Sequence, residues 1–125
     1  MRLLLDTNAL LWTLSGSQRI RSVEAQLLAP ESEVFVSAVS FWEIAVKASI
    51  GKLAASVSEI RMAAQASGFL ELPLQGSHAE ALANLPLHHR DPFDRMIVAQ
   101  AITEPMRLLT GDRQLSAYSE LVQVF

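Results

Sequence analysis

Apolar residues in this chain recur at two spacings. Short, mainly apolar runs, Leu3-Leu4-Leu5, Val34-Phe35-Val36, Phe69 to Leu72, Arg107 to Thr110 and Leu121 to Phe125, have the length and apolar character of strands. Between them, apolar positions recur every three or four residues, the period of a helix with one buried face. The first such stretch starts near Asn8 and ends at the turn cluster Ser15-Gly16-Ser17. The second covers Arg21 to Ala29, with Val23, Leu27 and Leu28 on one side and Pro30 as its stop. A third, capped by Ser37 or Ser40, reaches Ile50 before Gly51; residues 56–67 make a fourth, closed by Gly68. A short helix from Ser77 to Ala83 ends before Pro86, and Asp91-Pro92 opens a long apolar helix to about Thr103, ahead of Pro105. Strands alternating with helices predict an α/β fold: a central, mainly parallel sheet flanked by helices, in a single domain spanning 1–125. Sheets of this kind bind ligands at the carboxyl ends of their strands, where Asp6 and Asp112 both fall.

Half the residues are hydrophobic, enough for a full core and incompatible with a disordered chain. There is no cysteine, which removes disulfides, thiolate metal sites and cysteine nucleophiles. No apolar stretch reaches bilayer-spanning length, and Asp6 interrupts the N-terminal apolar run where a signal peptide would continue, so a cytoplasmic protein is expected. Ten basic and thirteen acidic residues leave a net charge of −3, against the basic face of a dedicated nucleic-acid-binding module. That objection weakens if several of the acids lie under a cation. The positive charge is also local, with Lys47 and Lys52 in one segment and His88, His89, Arg90 and Arg95 in another.

Four acids, Asp6, Glu43, Asp94 and Asp112, sit where the predicted elements hold them against apolar surface. Buried carboxylates need a partner or a metal, and four together without a cation would take up protons. A hard divalent cation such as Mg²⁺, which prefers oxygen ligands, is the economical solution, and it points to metal-assisted phosphoryl chemistry. Each acid also has a plainer reading. Asp6 can cap the helix that follows it, although Asn8 can fill that position instead. Thr7 and Asn8 are natural donors to orient a ligating Asp6. Glu43 has Lys47 four residues on, the spacing of a helical ion pair, yet shares its side of the helix with Val39, Val46 and Ile50. Asp112, in Thr110-Gly111-Asp112-Arg113, can be a turn residue. Asp94 heads the apolar stripe Ile97, Val98 and Ala101 at a helix mouth, while Asp91, directly before Pro92, is assigned to the cap. His88 and His89 read as loop or surface residues, and no histidine has the spacing of a zinc site. Trp12 and Trp42 are expected in the core.

The segments LLLDTNALLW, SAVSFWEIAVKASIGKL, HRDPFDRMIVAQA and LLTGDRQL, in this order and spacing, resemble a PIN-domain protein, and among these the VapC-type toxins of bacterial type II toxin–antitoxin pairs. The resemblance covers essentially the whole chain. It implies a PIN-like fold and a Mg²⁺-dependent endoribonuclease, with Mn²⁺ as a substitute, that hydrolyses RNA phosphodiester bonds with a metal-activated water. Carried over by position, Asp6 matches the acid after the first strand, Glu43 the helical acid, Asp94 the third and Asp112 the fourth. These four are the expected catalytic and metal-binding residues. Asn8 departs from close relatives of the motif, which often carry histidine there. The resemblance also implies a homodimer and a VapB-like antitoxin, expected to insert a basic side chain into the acidic site. Lys47, Arg95 and Arg113 are candidate phosphate contacts. Two other readings remain: a housekeeping RNA-processing nuclease of the same family, and a haloacid-dehalogenase-like phosphatase. Against the latter, the second aspartate of its motif is here Asn8.

Overall fold

Leu3, Leu4 and Leu5 are fully buried because their strand lies at the centre of the sheet with a helical layer on each side. The computed structural model describes residues 1–125. Its five strands are β1 (Arg2–Leu5), β2 (Glu33–Ser37), β3 (Leu70–Leu72), β4 (Arg107–Thr110) and β5 (Val122–Val124), in the order β3-β2-β1-β4-β5. Every pairing is parallel, with Leu5 opposite Val36 on one side and Leu109 on the other. The helices are α1 (Thr7–Ser15), α2 (Glu24–Leu28), α3 (Ala38–Ser49), α4 (Val57–Ala66), α5 (Gly76–Ala83) and α6 (Pro92–Thr103). The expected α/β architecture is therefore present.

Alternation along β1 divides the core in two. Leu3 and Leu5 join Ala9, Leu10, Phe41, Ile44 and Ala64 on one face of the sheet. Leu4 joins Ile97, Val98, Ala101, Leu108 and Leu115 on the other. A strand buried on both faces has no polar side, which explains the unbroken leucine run. The chain moves from β1 to β2 on one side and returns to β4 on the other, so β1 and β4 flank the point where the connections diverge. Their carboxyl ends open the crevice in which such sheets bind ligands.

Several local features differ from the sequence expectation. Helix α1 starts at Thr7 rather than Asn8, because Asp6 itself caps it and leaves Asn8 exposed. The segment expected as one helix from Arg21 is a 3₁₀ turn over Gln18–Val23 followed by the five-residue α2. Ser37, not Ser40, caps α3: its hydroxyl accepts the Val39 N–H and donates to the Gln100 side chain. A 3₁₀ turn over Arg113–Ala117 follows β4, where no element was expected. Ile50 lies past the last turn of α3 and is exposed, so it does not share the buried side of Glu43. Trp42 is 55% exposed rather than in the core. It packs edge-on against Phe93 at 4.8 Å, on the outer side of the second turn of α3.

Candidate active site

Asp6 ends the central strand, and its backbone N–H extends the ladder to Leu109 O at 3.2 Å. The next residue begins α1, so the side chain must turn over the mouth of the sheet. There one carboxylate oxygen accepts the Ala9 N–H at 2.8 Å and the other accepts the Thr110 hydroxyl. The capping and the functional readings of Asp6 are thus not exclusive. One oxygen caps, and the pair of bonds fixes the carboxylate with 4% of the residue exposed. Burial pushes its pKa upward, aided by the charges of Glu43 and Asp112, while the two hydrogen bonds oppose the shift.

Thr110 links the first acid to the fourth. Its hydroxyl donates to Asp6 and accepts the backbone N–H of Asp112 at 3.0 Å. Asp112 in turn caps the following 3₁₀ turn through Oδ1, which accepts the Gln114 N–H at 2.9 Å. Gly111 between them is needed for space: a Cβ there would lie 2.8 Å from the ring of Trp12. Trp12 is half-buried rather than in the core, with Phe125 edge-on to its ring and the Arg19 guanidinium 4.9 Å from the ring centroid.

Asp94 occupies the first turn of α6, whose cap is Asp91 as expected. One oxygen of Asp91 accepts both the Phe93 N–H (2.8 Å) and the Asp94 N–H (3.1 Å). The Asp94 carboxylate has no such support; the nearest cationic candidate, His89 Nε2, is 3.9 Å away. Burial, followed by the charges of Asp91, Asp6 and Glu43, raises its pKa to about 7.

Glu43 is as buried as Asp6, and both its oxygens are engaged: Oε1 accepts the Thr7 hydroxyl at 2.6 Å, and Oε2 pairs with Lys47. Thr7 thus orients Glu43, not Asp6, for which Thr110 provides the hydroxyl. The ion pair with Lys47 is real, and it coexists with burial of the acid. Hydrogen bonding to Glu43 is the main cause of an upward shift in the pKa of Lys47.

Asp6, Asp94 and Asp112 line one open cleft of about 330 Å³, together with Asn8, Trp12, Arg19, Gly111 and Arg113. Glu43 does not line it, although its charge acts on both Asp6 and Asp94. A residue that sequence reasoning assigned to the surface also belongs here. His89 lies with Asp94 and Asp112 so that their potential ligand atoms all fall within 4.8 Å of one another. Of the basic residues singled out, Arg113 reaches the cleft, Lys47 is committed to Glu43, and Arg95 points a guanidinium N–H to Leu85 O at 3.3 Å. Arg19, which no motif marked, is on the rim.

The donor set suits a hard cation. It is made of carboxylates, one of which, Asp94, has no hydrogen-bond donor and holds its proton to near neutrality through burial and the negative charges around it. No cysteine competes for a softer metal.

Comparison with known proteins agrees with this picture. The sequence model of the PIN domain matches residues 3–121. The chain is 28% identical over 117 residues to Ribonuclease VapC22 of Mycobacterium tuberculosis, covering 92% of this chain and 90% of that protein. Among solved structures, the fold is similar to that in VapBC2 from Rickettsia felis bound to a DNA fragment from their promoter, with TM-score 0.75, 15% identity, and 100% and 99% of the two chains covered. It is also similar to a chain of a toxin–antitoxin complex from Klebsiella pneumoniae, with TM-score 0.67, 20% identity, and 98% and 96% covered. At these identities the structural likeness establishes the fold.

Proposed function

The chain belongs to the PIN-domain family, and from that premise we propose that it is a Mg²⁺-dependent endoribonuclease, Mn²⁺ substituting, and the toxin of a VapBC-type toxin–antitoxin pair. Its catalytic and metal-holding residues are Asp6, Glu43, Asp94 and Asp112, in a single domain over 1–125. The observation that carries this reading is the state of Asp94: a half-buried carboxylate without a hydrogen-bond donor, its pKa raised to about 7, on the same cleft wall as Asp6 and Asp112. Groups perturbed by desolvation and like charge cluster where a protein needs them for chemistry. The ribonuclease named among its relatives and the toxin–antitoxin complexes that share its fold support the biological assignment.

When bound, the divalent cation activates water and neutralises charge that builds on the phosphate. The protein's part is positioning. Asp6, immobilised by Ala9 and Thr110, and Asp94, a partly buried carboxylate with no hydrogen-bond donor, would hold the cation. Asp112 completes a second or weaker position. Glu43 adds negative charge behind the pair, and would ligate the cation or orient the attacking water on exchanging its present contact with Lys47. Arg113 and Arg19 on the rim attract the phosphate backbone, so the net charge of −3 does not prevent binding of RNA. The antitoxin inserts an arginine or lysine near Asp6 and Asp94, replacing the cation with a guanidinium or ammonium that pairs with carboxylates.

Purified protein should cleave single-stranded RNA with Mg²⁺ or Mn²⁺ and stop on chelation. Full activity in chelator would overturn the metal dependence. Hydrolysis of small phosphomonoesters in place of RNA would favour the phosphatase reading.

A further inference from the structure

His89, beside Asp94 and Asp112, has both ring nitrogens in hydrogen bonds. Its Nδ1 accepts the backbone N–H of Asp91 at 3.1 Å, which leaves Nε2 as the nitrogen that carries the donor proton. Nε2–H then donates to Asp112 Oδ2 at 2.9 Å, while Asp94 at 3.9 Å is out of hydrogen-bond range. The loop that carries the ring is itself anchored. The Tyr118 hydroxyl accepts the backbone N–H groups of both His88 (3.1 Å) and His89 (2.9 Å), and the His88 ring stacks edge-on against Tyr118 at 5.0 Å.

We propose that His89 is a positioning residue that aims the Asp112 carboxylate at the cation. The proposal rests on the metal-dependent reading above. Oδ1 of Asp112 is held by Gln114 N–H and Oδ2 by His89, so the carboxylate is fixed at both ends. Each oxygen keeps a further lone pair for a ligand. Carboxylates that ligate metals are themselves commonly held by hydrogen-bond donors, and loss of such an outer partner lowers metal affinity about 10- to 100-fold. His89 also joins the last two acids of the site mechanically: Asp91 holds the ring through its N–H and caps the Asp94 turn through its side chain.

Two near-isosteric substitutions separate positioning of Asp112 from mere support of the loop. The amide nitrogen of glutamine occupies the place of Nε2 and can reach Asp112. The amide of asparagine reaches only the place of Nδ1, where it accepts the Asp91 N–H. Mn²⁺ binding is measured by calorimetry on the full chain, with thermal unfolding as the folding control. His89→Gln should bind within about threefold of wild type, and His89→Asn should bind about tenfold more weakly or worse. In the Asp112→Asn background the His89→Asn penalty should vanish, because the two changes remove one interaction. Wild-type affinity in His89→Asn, equal losses in both variants, or an undiminished penalty in the Asp112→Asn background would overturn the proposal. An undiminished penalty would make His89 a ligand in its own right. Absence of Mn²⁺ binding to the wild-type protein would instead overturn the metal-dependent reading, and the role of His89 with it.

Discussion

At the scale of single residues, the site is defined by how unevenly its carboxylates are supported. Asp6 has two hydrogen-bond donors, Glu43 a hydroxyl and an ammonium, Asp112 an amide and an imidazole, and Asp94 none. Asp94 and Asp6 both hold their protons more tightly in the fold than in the unfolded chain, where a carboxyl titrates near 3.8. Protonation therefore favours the folded state: the stability is full below 3.8 and is lost as pH rises through about 7 for Asp94. Asparagine at this position carries no charge to desolvate. Without divalent cation, Asp94→Asn should match wild type in thermal midpoint near pH 4 and exceed it above pH 7, by about 4 °C for each kcal/mol recovered. Saturating Mg²⁺ should raise the wild-type midpoint and leave that of the variant much less changed. Calorimetric scans of both proteins across this pH range decide it, and equal midpoints above pH 7 would remove the case for an uncompensated Asp94. In RNA cleavage, Asp6→Asn and Asp94→Asn should each lose most activity, at least about 100-fold, as expected when an electrostatic contact is lost at the reacting centre. Lys47→Ala should matter less, since its partner Glu43 keeps the Thr7 hydroxyl.

At the scale of elements, the site depends on where helices begin. Asp6, Asp91 and Asp112 each cap the element that follows, so the turns that bring the chain to the sheet mouth are stabilised by the acids themselves. Asp91→Ala removes two accepted N–H bonds and should lower stability by about 1 kcal/mol. Its backbone N–H remains for His89, so RNA cleavage should be largely retained. Lost cleavage in a folded Asp91→Ala protein would move the third acid from Asp94 to Asp91. The elements were legible in the sequence because mainly apolar runs and 3.6-residue periods are local, and proline and glycine mark their ends. Gly16, at φ +67°, stops α1 as the turn cluster suggested. What could not be read was contact between distant segments. The Thr110–Asp6 bond spans 104 positions and the His89–Asp112 bond 23, and neither leaves a periodic trace. A histidine before a helix cap looks like a surface residue until the loop after β4 is folded against it. Trp42 failed for a different reason: the start of α3 is buried on nearly all sides, and the one outward position in it carries the largest side chain.

At the scale of the molecule, no helix is long and apolar enough to cross a membrane, and buried core layers of 12 and 9 residues back the two faces of the sheet. If the protein is a toxin, its expression alone should arrest growth. Asp6→Asn should relieve the arrest, as should co-expression with a neighbouring antitoxin gene, both read from growth curves. Harmless expression of an active, folded enzyme would leave the RNA-processing role standing. The proposed chemistry turns on whether the carboxylates hold a cation. The most direct measurement is a crystal structure of Mn²⁺-soaked protein with anomalous scattering recorded for the metal. The prediction is a peak in the cleft, with oxygens of Asp6 and Asp94 in its coordination sphere at about 2.1 Å, the distance for a small hard cation, and Asp112 adjacent or bridging through a second ion. An empty cleft at saturating Mn²⁺, or a peak held by other residues while Asp6 and Asp94 keep their present contacts, would contradict it.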